Sequence, residues 1–180
     1  MKKALIVIDM QNDYFKNGNM ELVGVDAALK KTNDLVKFAR EQEYKIYFVQ
    51  HISVKEGSGF FVPNTKGVKL HENLNIQNAT IIEKNYPNSF RETNLKEDLD
   101  KDNIDELIIS GAMTHMCIDT TVRAAFDLGY KITLAHDACA TRDLMLGDEV
   151  IKAKDAHMSF ISALGSVFCE VKETAEIVLK

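Results

Sequence analysis

The sequence predicts an α/β protein, a three-layer α/β/α fold in which helices cover both faces of a six-stranded, mostly parallel sheet. Short apolar runs alternate with segments of helical period along the 180 residues. The runs are continuous, as in Leu5-Ile6-Val7-Ile8, which is how strands read when both their faces are buried. No repeat, low-complexity tract or linker interrupts them, so a single domain over residues 1–180 is the expected organisation.

The first strand is expected over residues 3–9, ending in the carboxylate of Asp9. A polar loop over 10–19, rich in turn formers, follows it. Apolar residues then return at helical spacing over 25–43, with Leu29, Leu35, Val36 and Ala39 on one face, and predict a long helix. Residues 45–50 form the second strand, with His51 just past its end. Residues 56–74 have no period. Gly57, Gly59, Pro63 and Gly67 punctuate them and Phe60-Phe61 stands among polar neighbours, so the segment reads as a lid, an oligomer contact or both. The third strand, 80–83, leads directly to Lys84, and a short helix near 94–99 leads to the fourth strand, 104–110. Gly111 and Ala112 are expected to break that run. Helical spacing resumes from Thr114, placing Ile118, Val122, Ala125 and Phe126 inward, with Gly129 as the stop signal. A fifth strand at 130–135, a helix at 148–159, a sixth strand at 166–168 and a final helix at 172–179 complete the chain.

Composition bounds the function. The chain is 46% hydrophobic and 27% charged, with two prolines and no tryptophan, which is ordinary for a soluble globular domain. A net charge of −5 without basic runs argues against nucleic-acid or membrane partners. Three cysteines, Cys117, Cys139 and Cys169, cannot all pair with one another. With no leader-like segment and no long apolar stretch, a reducing cytoplasm is the expected compartment.

Asp9, Lys84 and Cys117 all fall at carboxyl ends of predicted strands, where ligands bind in parallel sheets. Read singly, Asp9 caps a turn, Lys84 is a solvated charge and Cys117 is a buried, inert thiol. Gathered at one edge of one sheet, they point to catalysis. Cys117 is expected in the first turn of the helix after strand four. Unpaired N–H groups and the helix macrodipole there favour a thiolate, and a partly buried Lys84 would lower the thiol pKa further.

At these points the chain resembles the isochorismatase-like cysteine hydrolases, the superfamily that includes nicotinamidases and N-carbamoylsarcosine amidases. The residues that carry the resemblance are Ile8-Asp9-Met10-Gln11-Asn12-Asp13-Tyr14-Phe15, Glu83-Lys84, and Ser110-Gly111-Ala112-Met113-Thr114-His115-Met116-Cys117 continuing to Gly129-Tyr130. The resemblance implies a Rossmann-like sheet of order 3-2-1-4-5-6, assembly into homodimers or homotetramers, and an Asp9-Lys84-Cys117 triad. It also implies a cis peptide between Ala112 and Met113, with the backbone N–H groups of Met113 and Cys117 as oxyanion donors. Two departures bear on function. Metal-bearing nicotinamidases carry Asp-x-His after strand two, whereas Val49-Gln50-His51 stands here, leaving His51 and the distant His71 without a carboxylate. Isochorismatases that cleave a vinyl ether lack the cysteine that this chain has at 117.

These readings imply a metal-independent, cofactor-free hydrolase acting on an amide or carbamoyl C–N bond of a small molecule. Cys117 would attack the carbonyl to form a thioester while Asp9 moves protons. Gln11, Phe15, His51, Tyr86, Phe90, Ala112 and His115 are the candidate pocket residues, with Gln11 expected to orient Asp9 or a water. For the aromatic residues, core packing or subunit contact is the competing reading. Cys139 and Cys169 are expected to follow strands five and six and to take no part. The alternatives are a nicotinamidase-type amidase with an atypical metal site and a non-catalytic oligomeric binding protein on the same fold.

Overall fold

Apolar runs that need cover on both faces pair side by side here and are enclosed by helices. The structure, a computed structural model, describes residues 2–179. In chain order the elements are β1 (Lys2–Ile8), α1 (Val25–Glu41), β2 (Lys45–His51), β3 (Thr80–Lys84), α2 (Leu95–Lys101), β4 (Ile104–Ala112), α3 (Asp119–Asp127), β5 (Lys131–Ala140), β6 (Leu144–Leu146), β7 (Glu149–Ile151), α4 (Ala153–Val167), β8 (Glu170–Lys172) and α5 (Thr174–Val178). The main sheet is all parallel, in the order β3-β2-β1-β4-β5-β8, and β6 and β7 form a separate antiparallel hairpin. The implied order 3-2-1-4-5-6 is therefore realised with β8 as the sixth strand.

Successive strand residues point to opposite faces, so each run feeds two cores. Leu5, Val7, Phe48 and Ile108 pack on one side with α1 and α5. Ala4, Ile6, Tyr47, Val49, Leu107 and Ile109 pack on the other with α2, α3 and α4. The long helix α1 buries Val25, Ala28, Leu29, Thr32, Leu35, Val36 and Ala39, a stripe at the helical period. Among the described residues, no helix is long and apolar enough to cross a membrane.

Several boundaries differ from the sequence expectation. β4 does not break at Gly111 but runs through Ala112. Gly111 has φ +124°, and a Cβ there would strike the backbone of Ile8, so the glycine permits close approach to the end of β1. β5 runs on to Ala140 because, after a register shift, Cys139 and Ala140 pair with Gly111 and Ala112. Cys139 thus lies inside β5 and Cys169 just before β8, rather than after their strands. Residues 166–168 are not a strand: α4 begins later than expected and continues through Val167, its buried face extending to Leu164. Residues 149–151, expected to be helical, form half of the hairpin. Phe126 stays 41% exposed, set edge-on against Phe168, instead of joining the core with Val122 and Ala125.

The aperiodic segment 56–74 is tied down by side chains from the loop after β1. Asp13, buried, accepts hydrogen bonds from the N–H of Phe61 at 2.6 Å and of Asn19 at 3.2 Å. Its carboxylate lies where a Cβ on Gly67 would sit, so only glycine fits at that crossing. Phe61 is buried in consequence, its ring 4.6 Å from Tyr14 and 5.8 Å from His51 between centroids.

Candidate active site

Four strand ends meet at one edge of the sheet. Asp9 follows β1 through a left-handed turn (φ 52°), its N–H bonded to Val49 O at 3.0 Å. His51 ends β2, Lys84 ends β3, and Ala112 ends β4 at a cis peptide to Met113. The chain then makes a single π turn, Thr114–Ile118, closed by Ile118 N–H to Met113 O at 3.2 Å, before α3 begins. Cys117 sits in that turn, as expected for the start of a helix.

Lys84 is the hub. Its ammonium forms an ion pair with Asp9 Oδ2 at 2.8 Å and hydrogen bonds with His51 Nδ1 at 2.9 Å and Cys117 Sγ at 3.3 Å. Asp9 is 0%, Lys84 1% and Cys117 5% exposed, so these charges meet out of water. Lysine can only donate, so His51 Nδ1 is an acceptor and the imidazole proton resides on Nε2. Burial, reinforced by the Lys84 charge, lowers the His51 pKa to about 4, so the ring is neutral near pH 7. Burial alone would pull Lys84 down as well, but Asp9 and Cys117 outweigh it and raise its pKa. Among the described residues both oxygens of Asp9 are buried without a donor in hydrogen-bond geometry, so its contact with Lys84 is an ion pair.

One expectation is corrected by this geometry. The Cys117 thiol pKa is raised, not depressed: burial is the larger cause, and the Asp9 carboxylate adds to it against the opposing pull of Lys84. The resting residue is a protonated thiol. A turn's dipole and one ammonium do not outweigh full desolvation beside a carboxylate.

The predicted pocket residues divide. His51 contacts Lys84, Ala112 precedes the cis peptide at the end of β4, and half-buried His115 holds its Nδ1 2.6 Å from Thr141 Oγ1. The Gln11 backbone N–H donates to Asp9 O at 2.8 Å, but the Gln11 side chain bonds elsewhere than the Asp9 carboxylate. Its amide donates to His51 O and Val68 O, at 2.8 and 2.6 Å, and accepts from His51 N–H at 2.8 Å, so it fixes the backbone of β2 against the loop. Phe15, Tyr86 and Phe90 have other partners: Phe15 stacks on His71 at 3.9 Å, Tyr86 carries the Arg91 guanidinium at 3.6 Å, and Phe90 stacks on Tyr130. Two neighbours were missed in the sequence. Tyr14 is buried, and its phenol is held protonated first by burial and then by the nearby Asp9 carboxylate. Arg142, two residues past β5, has a buried Nε with no acceptor among the described residues, and its charge is felt by both Tyr14 and His115. The strand-end rule that found Asp9 would have found Arg142 had β5 been given its full length.

The residues do not fit an Asp-x-His metal centre. Val49 stands where the carboxylate would be and is buried in the core, and His71 Nδ1 accepts the Asn73 N–H at 3.2 Å. Among the described residues, the grouping of three side chains able to hold a metal is Asp9, His51 and Cys117, whose ligand atoms lie within 4.8 Å of one another. The Lys84 ammonium contacts all three.

Residues 3–176 match the isochorismatase domain family model. The chain belongs to the isochorismatase family. It is 41% identical over 175 residues to the isochorismatase family protein YddQ of Bacillus subtilis, covering 97% of each chain. It is likewise 41% identical over 151 residues to nicotinamidase 3 of Arabidopsis thaliana, covering 77% of this chain and 73% of that one. The crystal structure of an isochorismatase from Pseudomonas putida superposes with a TM-score of 0.89 at 35% identity, covering 97% of this chain and 89% of that chain. This isochorismatase-family hydrolase thus has the sheet order, the cis peptide and the gathering of Asp9, Lys84 and Cys117 that the resemblance implied.

Proposed function

We propose that this hydrolase cleaves an amide or carbamoyl C–N bond of a small molecule through a thioester on Cys117. The observation that carries the reading is the buried Lys84 ammonium, ion-paired to Asp9 and hydrogen-bonded to His51 and Cys117. A resting thiol needs a base at the moment of attack, and Asp9 is the only carboxylate in that grouping. As Sγ bonds to the carbonyl carbon, the thiol proton passes to Asp9, and the C=O π pair moves to oxygen. The N–H groups of Met113 and Cys117 receive that oxyanion, the kind of donor worth about 3 kcal/mol in transition-state binding. Collapse breaks the C–N bond, and Asp9 returns the proton to the departing amine. Asp9 then takes a proton from the water that attacks the thioester, and the thiol is regenerated. Lys84 balances negative charge throughout and never needs to titrate.

Arg142, with its unpartnered Nε, supports a substrate that carries a carboxylate or carbonyl away from the scissile bond. The name of the nicotinamidase relative puts nicotinamide among the compounds to try. Ammonia release should be followed for nicotinamide, primary amides and carbamoyl amino acids, with and without a chelator. Turnover is expected on at least one, unchanged by chelation, and best where an acidic group is present. Cys117→Ala should lower it by about 10³-fold or more. Ammonia release that survives in Cys117→Ala would sink the thioester. Loss on chelation would instead favour the metal-dependent reading.

A further inference from the structure

The turn that carries Cys117 is a single π turn running directly into α3, and no side chain caps its N-terminus at Met113. Its first residue, Thr114, is fully buried, so the hydroxyl must be satisfied inside the protein. Two groups reach it: the carbonyl of Ala140 at the end of β5, 3.3 Å away, and Nδ1 of His157 on α4, 2.9 Å away. A hydroxyl has one hydrogen, and a carbonyl only accepts. If Thr114 donates to Ala140, His157 must donate its Nδ1–H to Thr114, and both bonds are made at once.

We propose that His157 is a positioning residue: its hydrogen bond to Thr114 sets the turn that holds the Cys117 thiol and the Met113 and Cys117 N–H groups. The proposal rests on the hydrolytic reading above. His157 comes from α4, outside the triad, and ties the turn to both the helix layer and the β5 end. His115, the next residue of the turn, is bonded to Thr141 just past the same strand end, so two consecutive residues of the turn are referred to one anchor. Burial lowers the His157 pKa, which agrees with a neutral ring held by its Nδ1–H.

Asparagine can place an N–H near the position of the Nδ1 donor, whereas leucine supplies none. The test compares His157→Leu, His157→Asn, Thr114→Val and Thr114→Ser, using the panel compound that the parent turns over fastest. His157→Leu and Thr114→Val should each lower kcat by about 10- to 100-fold with KM within about threefold, the cost of misplacing reacting groups by a fraction of an ångström. The double variant should be no worse than either, and His157→Asn and Thr114→Ser should recover most of the loss. A lower Tm with unchanged kcat, or an Asn variant as impaired as the Leu variant, would overturn the proposal. Iodoacetamide labelling of Cys117, with the partly exposed Cys169 as internal reference, reads the same geometry without substrate. His157→Leu should change the Cys117 rate relative to Cys169, and equal Cys117 rates in parent and variant would also overturn it. Activity surviving in Cys117→Ala would count against the thioester instead, leaving the labelling readout to judge His157.

Discussion

Lys84 and Asp9 form a fully buried ion pair, and such a pair behaves asymmetrically on substitution. Removing one partner strands the other charge, at a cost of about 3–5 kcal/mol, whereas neutralising both costs far less. Lys84→Met should therefore lower both turnover, by orders of magnitude, and unfolding free energy, by about 3 kcal/mol. Lys84→Met combined with Asp9→Asn should regain much of that stability and none of the activity, because the proton acceptor is gone as well. Urea unfolding and ammonia release on the three proteins would show it. A Lys84→Met enzyme as active and as stable as the parent would mean that the ammonium neither holds Asp9 nor balances sulfur. A raised thiol pKa adds a constraint: little thiolate is present at rest, which protects a buried cysteine from adventitious oxidation.

At the scale of elements, the segment over 56–74 owes its place to Asp13. That side chain accepts from Phe61 N–H and Asn19 N–H, joining the loop after β1 to the loop after β2. Asp13→Ala would leave the buried Phe61 N–H without its acceptor, at about 1–3 kcal/mol. Limited proteolysis should then cut within 56–74 faster than in the parent while the sheet survives. An unchanged cleavage rate would show that the aromatic contacts of Phe61 alone hold the segment. The reason this link escaped the sequence is general. An aspartate among turn formers reads as a local turn residue, and its partner lies 48 positions away. The same holds for Gln11, whose partners are His51 and Val68. By contrast α1 was legible because its buried face recurs every three to four residues, a signal contained within the helix itself.

For the whole molecule, burial sets the pH range of stability. His51, His71, His115 and His157 all have lowered pKa values, His51 to about 4 from an ordinary 6.5. A depressed pKa means that the unfolded chain binds protons first, so this stability is present above 6.5 and is lost as pH falls through the folded values. The cysteines act in the opposite sense. Burial raises Cys139 to about 12 and Cys169 to about 11 from 9.0, so their contribution is present below 9.0 and is lost as pH climbs through those values. The urea midpoint should accordingly be highest near neutrality and fall at about pH 5 and at about pH 10. A midpoint at pH ~5 equal to that at neutrality would show that the histidines are solvated in the folded state.

The sequence by itself determined the α/β class, the strand ends that bear Asp9, Lys84 and Cys117, and the family. Each of these is written in contiguous residues: an apolar run, the reactive group that ends it, and the turn that follows. Only the tertiary structure decided that β5 extends to Ala140, that β8 is the sixth strand, and that Phe15, Tyr86 and Phe90 have partners of their own. It also decided the protonation of the site. Whether Cys117 is a thiol or a thiolate, and whether His51 is charged, depends on how completely water is excluded and on which distant charges lie within a few ångströms. Desolvation is a property of the packed molecule, and no local pattern of residues encodes it.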